Sequence, residues 1–447
     1  MRPWAFLLLS SIGCAAPAGG PEISRRPGAL AGIDAMLAEI SPDRLAATVR
    51  ALAAFGTRHT LSRTDSDERG IGAARRWIKA GLDSIPGLEI AFDSHLEPVG
   101  PRVPRETEIV NVVAVLRGSM PEAAGRRYAV MAHYDSRRTD VMDGEGDAPG
   151  ANDDGSGVAA VLELARVMSR RKFDATLVFL ATAGEEQGLL GARAHAKAAR
   201  AAGLDYRGVL NDDIVGDPGG QPPGARLLRV FSEGIPPGAS AEEVKRIAAI
   251  GAENDSASRQ LARYAVEVAA LHRPGVEPLP VFRPDRFLRG GDHLPFLAEG
   301  FPAVRFTDLR EDYARQHQDP RTEGGVRYGD DPEFVDPDYL AAVARCNGAV
   351  LAHLANAPAP PAKARVVAAA LATDTLVRWS AGPEPDTAGY EVVWRETTSP
   401  AWQRSFDAGA ATELRVDLSK DDGIFGVRSY DRDGFRSPVA ACGSARE

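Results

Sequence analysis

Five short polar clusters hold the side chains able to do chemistry. They are His133-Tyr-Asp135-Ser136, the stretch Ala148-Pro-Gly-Ala-Asn-Asp153-Asp-Gly-Ser-Gly157, Ala183-Gly-Glu185-Glu186-Gln-Gly188, Asn211-Asp212-Asp213-Ile-Val-Gly216 and Arg315-Gln-His317-Gln-Asp319. Singly, each has an ordinary explanation. An Asp beside Gly-Ser-Gly is usually a turn or a helix N-cap, Glu-Glu a solvated pair, and a lone His a satisfied polar residue. Brought together, these carboxylates would repel one another and resist ionisation unless cations neutralised them, and two divalent ions would do so. Ligation by imidazole and carboxylate without thiolate suits catalytic zinc, with cobalt or manganese as substitutes. Beyond Cys14 only Cys346 and Cys442 remain, too few for a thiolate zinc site, and a disulfide between them is possible but not implied.

The elements between the clusters explain why they would meet. Tyr128 to Ala132 is a continuous apolar run of strand length, and Gly157 to Met168 has helical period. Thr176 to Thr182 is a second buried strand, Leu189 to Ala202 a second helix, Gly208-Val-Leu-Asn211 a third strand and Ala303 to Thr307 a fourth. Strands alternating with helices predict an α/β unit with a parallel sheet covered on both faces. In such sheets the ligand crevice lies beyond the carboxyl ends of the strands, and that is where the clusters fall.

The ordered set His-x-Asp, Pro-Gly-Ala-Asn-Asp-Asp-Gly-Ser-Gly, Gly-Glu-Glu-x-Gly, Asn-x-Asp-Ile-Val-Gly and a distal His resembles the M28 (aminopeptidase Y-like) metallopeptidases over roughly residues 30–356. The resemblance implies a mixed, mostly parallel sheet of the zinc-peptidase/phosphorylase kind and a site for two zinc ions. His133 and Asp213 would hold one ion, Glu186 and His317 the other, and Asp153 would bridge both. Asp213 is chosen over Asp212 because it directly precedes Ile-Val-Gly. Glu185 would act as general base, taking a proton from the attacking water and passing it to the leaving amine. Asp135 would orient the His133 imidazole. The segment Arg289-Gly-Gly-Asp292-His293-Leu-Pro-Phe296 is similar to the family's Ser-Asp-His-x-Pro-Phe, with Gly291 in the Ser position. There Asp292 and His293 would shape the pocket wall, and Tyr313 would stabilise the oxyanion. Loops 137–147 and 218–240 are expected to supply the pocket wall that sets side-chain preference.

The expected activity is hydrolysis of peptide bonds, releasing N-terminal residues. Alternatives are a glutaminyl cyclase with one zinc, a carboxypeptidase-type enzyme, and a non-catalytic surface or adhesion protein on the same fold. The first cyclase alternative is disfavoured because all five ligand candidates are kept, and the last because neither Glu185 nor a ligand is lost. A serine hydrolase is disfavoured, since Gly155-Ser-Gly157 is not the Gly-x-Ser-x-Gly elbow. The 447 residues carry a net charge of −9, which argues against a nucleic-acid partner and leaves a peptide or protein substrate.

The ends of the chain predict further parts. Met1-Arg2 followed by a short apolar run reads as a signal peptide over 1–19, and Ile12-Gly13-Cys14 resembles the end of a bacterial lipobox, although Ser11 stands where Leu is preferred. Lipidation at Cys14 and simple cleavage both fit. Either way the protein is expected to be exported: periplasmic, secreted or lipid-anchored at a bacterial cell envelope. Residues 20–29 and the Pro-rich 357–363 read as linkers around the 30–356 enzyme domain. Short alternating strands over 364–443 predict a small all-β sandwich resembling a fibronectin type III module, with Trp379, Tyr390 and Tyr430 as core and a binding or spacing role.

Overall fold

The computed structural model describes residues 27–445 except 223 and 370. The expected signal segment and Cys14 lie outside the described residues. Helices α1 (Pro27–Leu37), α2 (Pro42–Ala53) and α3 (Ile71–Asp83) open the chain. The last residues read as linker, 27–29, are therefore helical. Strands β1 (Glu89–Glu97), β2 (Thr107–Leu116) and β3 (Arg126–His133) lead to α4 (Gly155–Met168), then β4 (Thr176–Thr182), α5 (Leu190–Ala201), β5 (Asp205–Asp212) and β6 (Leu227–Ser232). After α6 (Ala241–Ala249) and α7 (Ala257–His272) come β7 (Glu277–Val281), α8 (His293–Ala298) and β8 (Ala303–Asp308). A small hairpin, β9 (Arg321–Glu323) and β10 (Val326–Tyr328), precedes α9 (Pro337–Asn356).

Strands β1 to β8 form one sheet in the order β1-β2-β4-β3-β5-β8-β6-β7. The central run β4, β3, β5 and β8 is parallel, and β6 pairs parallel to β7; the pairs β1–β2, β2–β4 and β6–β8 are antiparallel. This is the mixed, mostly parallel sheet expected. Two of its strands, β6 and β7, fall in stretches the sequence left as loop.

The period-2 alternation of β3 explains the layers. Tyr128, Val130 and Ala132 face the core shared with α4, α7 and α9, while Ala129 and Met131 face the core shared with α5 and α8. Each buried aliphatic side chain contributes roughly 1.5–3 kcal/mol, so the strand register is firmly specified. That register places His133 opposite Thr182, and Asp212 opposite Phe306, so the carboxyl ends of the four central strands stop along one edge.

Beyond Ala357 the chain forms two four-stranded sheets. One has the order β15-β12-β11-β18 and the other β14-β13-β16-β17, with β11 (Ala362–Val367) starting inside the stretch read as linker. Strands β12 (Thr375–Ser380), β13 (Thr387–Glu396), β14 (Arg404–Gly409), β15 (Glu413–Val416), β16 (Gly423–Asp431), β17 (Ala440–Ala441) and β18 (Gly443–Ala445) complete them. Trp379 and Tyr390 share a core with Val392, Phe425 and Val427, as their alternation suggested. This unit is fastened to α7 and the turn before it: Arg395 makes two bonds to Asp255 at 2.9 and 2.7 Å, and Trp402 donates to Gln260 at 3.1 Å. Cys346 and Cys442 are both free thiols. Among the described residues no helix is long and apolar enough to cross a membrane.

Candidate metal centre

The loop after each central strand is fixed by the backbone and by one buried carboxylate. Asp154 caps α4 by accepting from the Gly157 amide at 3.1 Å, and it also accepts from the amides of His133 at 3.1 Å and Ile214 at 3.2 Å. It thus ties the ends of β3, β5 and α4 to one point. Gly157 is required by this closeness, since a Cβ there would lie 2.6 Å from the Asp154 carboxylate and 2.7 Å from the Asp212 carbonyl. Arg58, wholly buried, donates to the carbonyls of Tyr134 at 2.7 Å and Gly150 at 2.8 Å and locks the two loops together.

On this frame the predicted side chains converge. Single donor atoms of His133, Asp153 and Asp213 lie within 4.8 Å of one another, and so do those of Asp153, Glu186 and His317. Asp153 belongs to both groups. Its two oxygens face opposite ways, with Oδ1 3.1 Å from His133 Nε2 and Oδ2 2.9 Å from His317 Nε2. Buried Glu186 Oε1 lies 3.0 Å from the same His317 nitrogen, so that two carboxylates share one imidazole nitrogen. Two buried carboxylates with one imidazole nitrogen between them leave oxygen donors in excess, a set that fits a cation. Asp212 is excluded by the strand alternation: it points to the opposite face, where Asn347 of α9 donates to it.

Glu185 sits with these groups in a cleft of about 640 Å³. Gly184, at φ +76, supplies the left-handed turn that lets neighbours Glu185 and Glu186 both reach inward. His317 itself adopts φ +58 and Ile214, next to Asp213, φ +62, so the strained backbone clusters at the site. Asp135 is positioned differently from the expectation. His133 Nδ1 is 3.1 Å from the Asp135 backbone carbonyl but 3.6 Å from its carboxylate. The carboxylate instead accepts from the amides of Glu185 and Glu186, each at 3.2 Å, and from Thr60 at 3.0 Å. It therefore anchors the turn bearing both glutamates.

The electrostatics follow from burial and crowding. Burial, with Glu186, Asp213 and Asp292 nearby, holds the Glu185 carboxyl well above its ordinary range. Burial opposes charge on His317, but the facing Glu186 and Asp153 carboxylates outweigh it and push the imidazole up to about 10. Burial likewise raises Asp213, against the pull of Arg305.

Several supports were not visible in the sequence. Asp330 accepts from the amides of Asn152 at 2.9 Å and Asp153 at 2.7 Å; Arg305, fully buried, pairs with Asp213 at 2.9 Å; Gln316 donates to Asp153 at 3.1 Å. Only Gln316 lies inside a cluster singled out from the sequence. Asp292 and His293 do not form the cleft surface: both are wholly buried behind it, where Thr182 donates to Asp292. Loop 137–147 contributes Arg137 and Thr139 to the wall, but 218–240 contributes nothing, because Leu227–Ser232 is a sheet strand; segments 286–290 and 313–318 take its place. Tyr313 lines the cleft and is exposed.

Residues 111–346 match the profile of peptidase family M28. A probable zinc metalloprotease of Leptosphaeria maculans is 45% identical over 422 residues, covering 93% of this chain and 97% of that one. Among solved structures, the Legionella pneumophila LapA aminopeptidase superposes with a TM-score of 0.50 at 17% identity, covering 75% of this chain and 78% of the other. The Macrostomum lignano glutaminyl cyclase gives 0.52 at 16% identity, covering 76% and 97%. At such identities these two likenesses concern the fold alone.

Proposed function

The chain belongs to peptidase family M28, and on that premise we propose that it is a zinc-dependent hydrolase of peptide bonds using two metal ions. The observation that carries this reading is the pair of three-residue donor groups that share Asp153. His133, Asp153 and Asp213 would hold one ion, and Asp153, Glu186 and His317 the other. Zinc at such a site polarises the scissile carbonyl and makes water easier to deprotonate. The chain's own residues do the rest. Glu185, raised by burial and its carboxylate neighbours, takes a proton from the attacking water and returns it to the amide nitrogen as the C–N bond breaks. Asp135 holds the turn that presents Glu185 and Glu186. Arg305, paired with Asp213 at 2.9 Å, aims that carboxylate and favours its charged form against the cost of burial.

Release of N-terminal residues is the narrower form of the proposal and rests on the motif resemblance. Export, proposed from the apolar segment near Met1, concerns where the enzyme acts rather than how. The decisive assay compares aminoacyl anilides with a free and a blocked amine, before and after exhaustive chelation. Cleavage of the free-amine substrate alone, abolished by chelator and restored by zinc, is expected. Activity indifferent to chelation ends the metal proposal, and equal cleavage of the blocked substrate ends the aminopeptidase form.

A further inference from the structure

We infer that the cleft selects substrates bearing a carboxylate beside the scissile bond, and that Arg289 is the cation that anchors it. This rests on the peptidase reading above and adds the substrate class.

The wall facing the donor groups is short of negative charge. Glu311, whose side chain is only 2% exposed, is shared by three guanidiniums: Arg229 at 3.0 Å, Arg286 at 2.6 Å and Arg289 at 2.9 Å. Arg286 also draws on Asp285 at 2.9 Å, and Asp285 in turn serves Arg305 at 3.1 Å. The other partner of Arg305 is Asp213, which the proposed metal site also claims. Four guanidiniums therefore meet three carboxylates, and one of the three is already committed.

Arg289 is where the excess reaches the cleft. Its side chain is 31% exposed, against 11% for Arg286 and 19% for Arg229. Arg102 and Arg137 line the same cleft, Arg102 donating to the Glu186 carbonyl at 2.9 Å and Arg137 to His317 Nδ1 at 2.9 Å. Among the described residues the acidic groups lining the cleft are Asp153, Glu185, Glu186 and Asp213, all of them donors or the base. A cationic side chain would find no free partner there. A carboxylate would meet planar guanidinium groups able to bind it through two parallel hydrogen bonds.

Two sources of that carboxylate are chemically equivalent: an Asp or Glu side chain, or the C-terminus of a short peptide. With zinc-loaded protein, glutamyl anilide against glutaminyl anilide tests the side chain. Leucyl-glycine against leucyl-glycinamide tests the terminus. The charged member of at least one pair is expected to be favoured in kcat/KM by about tenfold or more, mainly through KM. Arg289→Ala should remove the preference, and Arg289→Lys, which keeps the charge but loses the planar fork, should weaken it. The ratio is read within each protein, so a general loss of activity does not obscure it, and the Lys variant serves if the Ala variant fails to fold. Calorimetric binding of glutamate against glutamine, to metal-free and zinc-loaded protein, gives a readout independent of turnover. Equal kcat/KM within both pairs overturns the inference, as does a preference that survives Arg289→Ala. No hydrolysis of any substrate overturns the peptidase reading itself, and the inference falls with it.

Discussion

Two of the places where the molecule buries charge handle it in opposite ways. Where the C-terminal unit meets α7, Asp255 and Arg395, each with a side chain 2% exposed, pair through two bonds, and Arg263 adds a third cation-to-carboxylate contact at 3.5 Å. Glu391 nearby is gripped by Arg428 at 2.6 Å and Arg436 at 3.0 Å, which hold it below its ordinary range against the cost of burial. Every carboxylate there has its guanidinium. In the cleft, by contrast, Asp153, Glu185, Glu186 and Asp213 crowd together, Asp153 and Glu186 share one nitrogen of His317, and Glu185 is driven well above its ordinary range. Burial alone therefore does not mark a reactive site. What marks it is buried charge left unmatched by the protein's own groups, because only such a site has capacity for an ion and a substrate.

The contrast breaks most visibly at Glu185. Glu185→Gln should lower kcat by about 10²–10⁴-fold, the range for loss of a general base, while elemental analysis still finds two zinc ions per chain. It should not lower the melting temperature of the metal-free protein, because it removes one of several mutually repelling carboxylates. An active variant ends the base assignment. An inactive variant that has also become unstable would place Glu185 with the structural charges and dissolve the distinction.

At the α7 contact the effects should reverse. Asp255→Ala strands Arg395 and Arg263 without their carboxylate in a buried interface, which costs about 3–5 kcal/mol. Denaturant titration should show that loss, while kcat of the folded fraction stays near wild type. Replacing the pair together, Asp255→Leu with Arg395→Met, should recover part of the stability, since of the two stranded cations only Arg263 then remains, held by the Pro400 and Asn254 carbonyls. A double variant as unstable as the single one would mean that the interface needs more from these residues than charge balance.

The two regions also differed in how far they could be read from sequence. The metal donors were legible because each follows a strand whose apolar run and period fix where the chain turns. The Asp212/Asp213 choice agrees with plain alternation along β5, since the inward and outward residues of a strand must differ. What stayed hidden was contributed from afar by residues with no local pattern. Asp330 reaches back to the amides of Asn152 and Asp153, and Glu311 gathers three arginines from two separate segments. The strand β7 was missed for a local reason: Glu-Pro-Leu-Pro-Val reads as loop because Pro cannot donate to a ladder, and it is tolerated here at the sheet's edge. Asp135 was found for its spacing to His133, but its carboxylate bonds lie with a turn fifty residues on.

The smallest expected effect tests whether the C-terminal unit is as fully balanced as its arginine pairs suggest. Asp431, at the end of β16, is buried and pushed up to about 6, chiefly by burial and secondarily by Asp433 and Asp386, against hydrogen bonds from the Phe435 and Gly434 amides. The ordinary value is 3.8. A carboxyl raised on folding holds its proton more tightly in the folded chain between those two values, so stability falls as pH rises from about 4 to 6 and is level above. Glu391, lowered by its arginines, acts in the opposite sense, and its contribution is lost only as pH falls below its ordinary range. Between pH 4.5 and 6.5, then, Asp431 is the group to watch. Asp431→Asn keeps an acceptor for the Phe435 amide, which donates to it at 2.8 Å, and removes the titration. The variant should match wild type near pH 4.5 and exceed it by about 1 kcal/mol at pH 6.5, measured by denaturant titration at both values. A difference that does not change with pH would show that Asp431 is already balanced when ionised, and that the unit carries no unmatched carboxylate at this position.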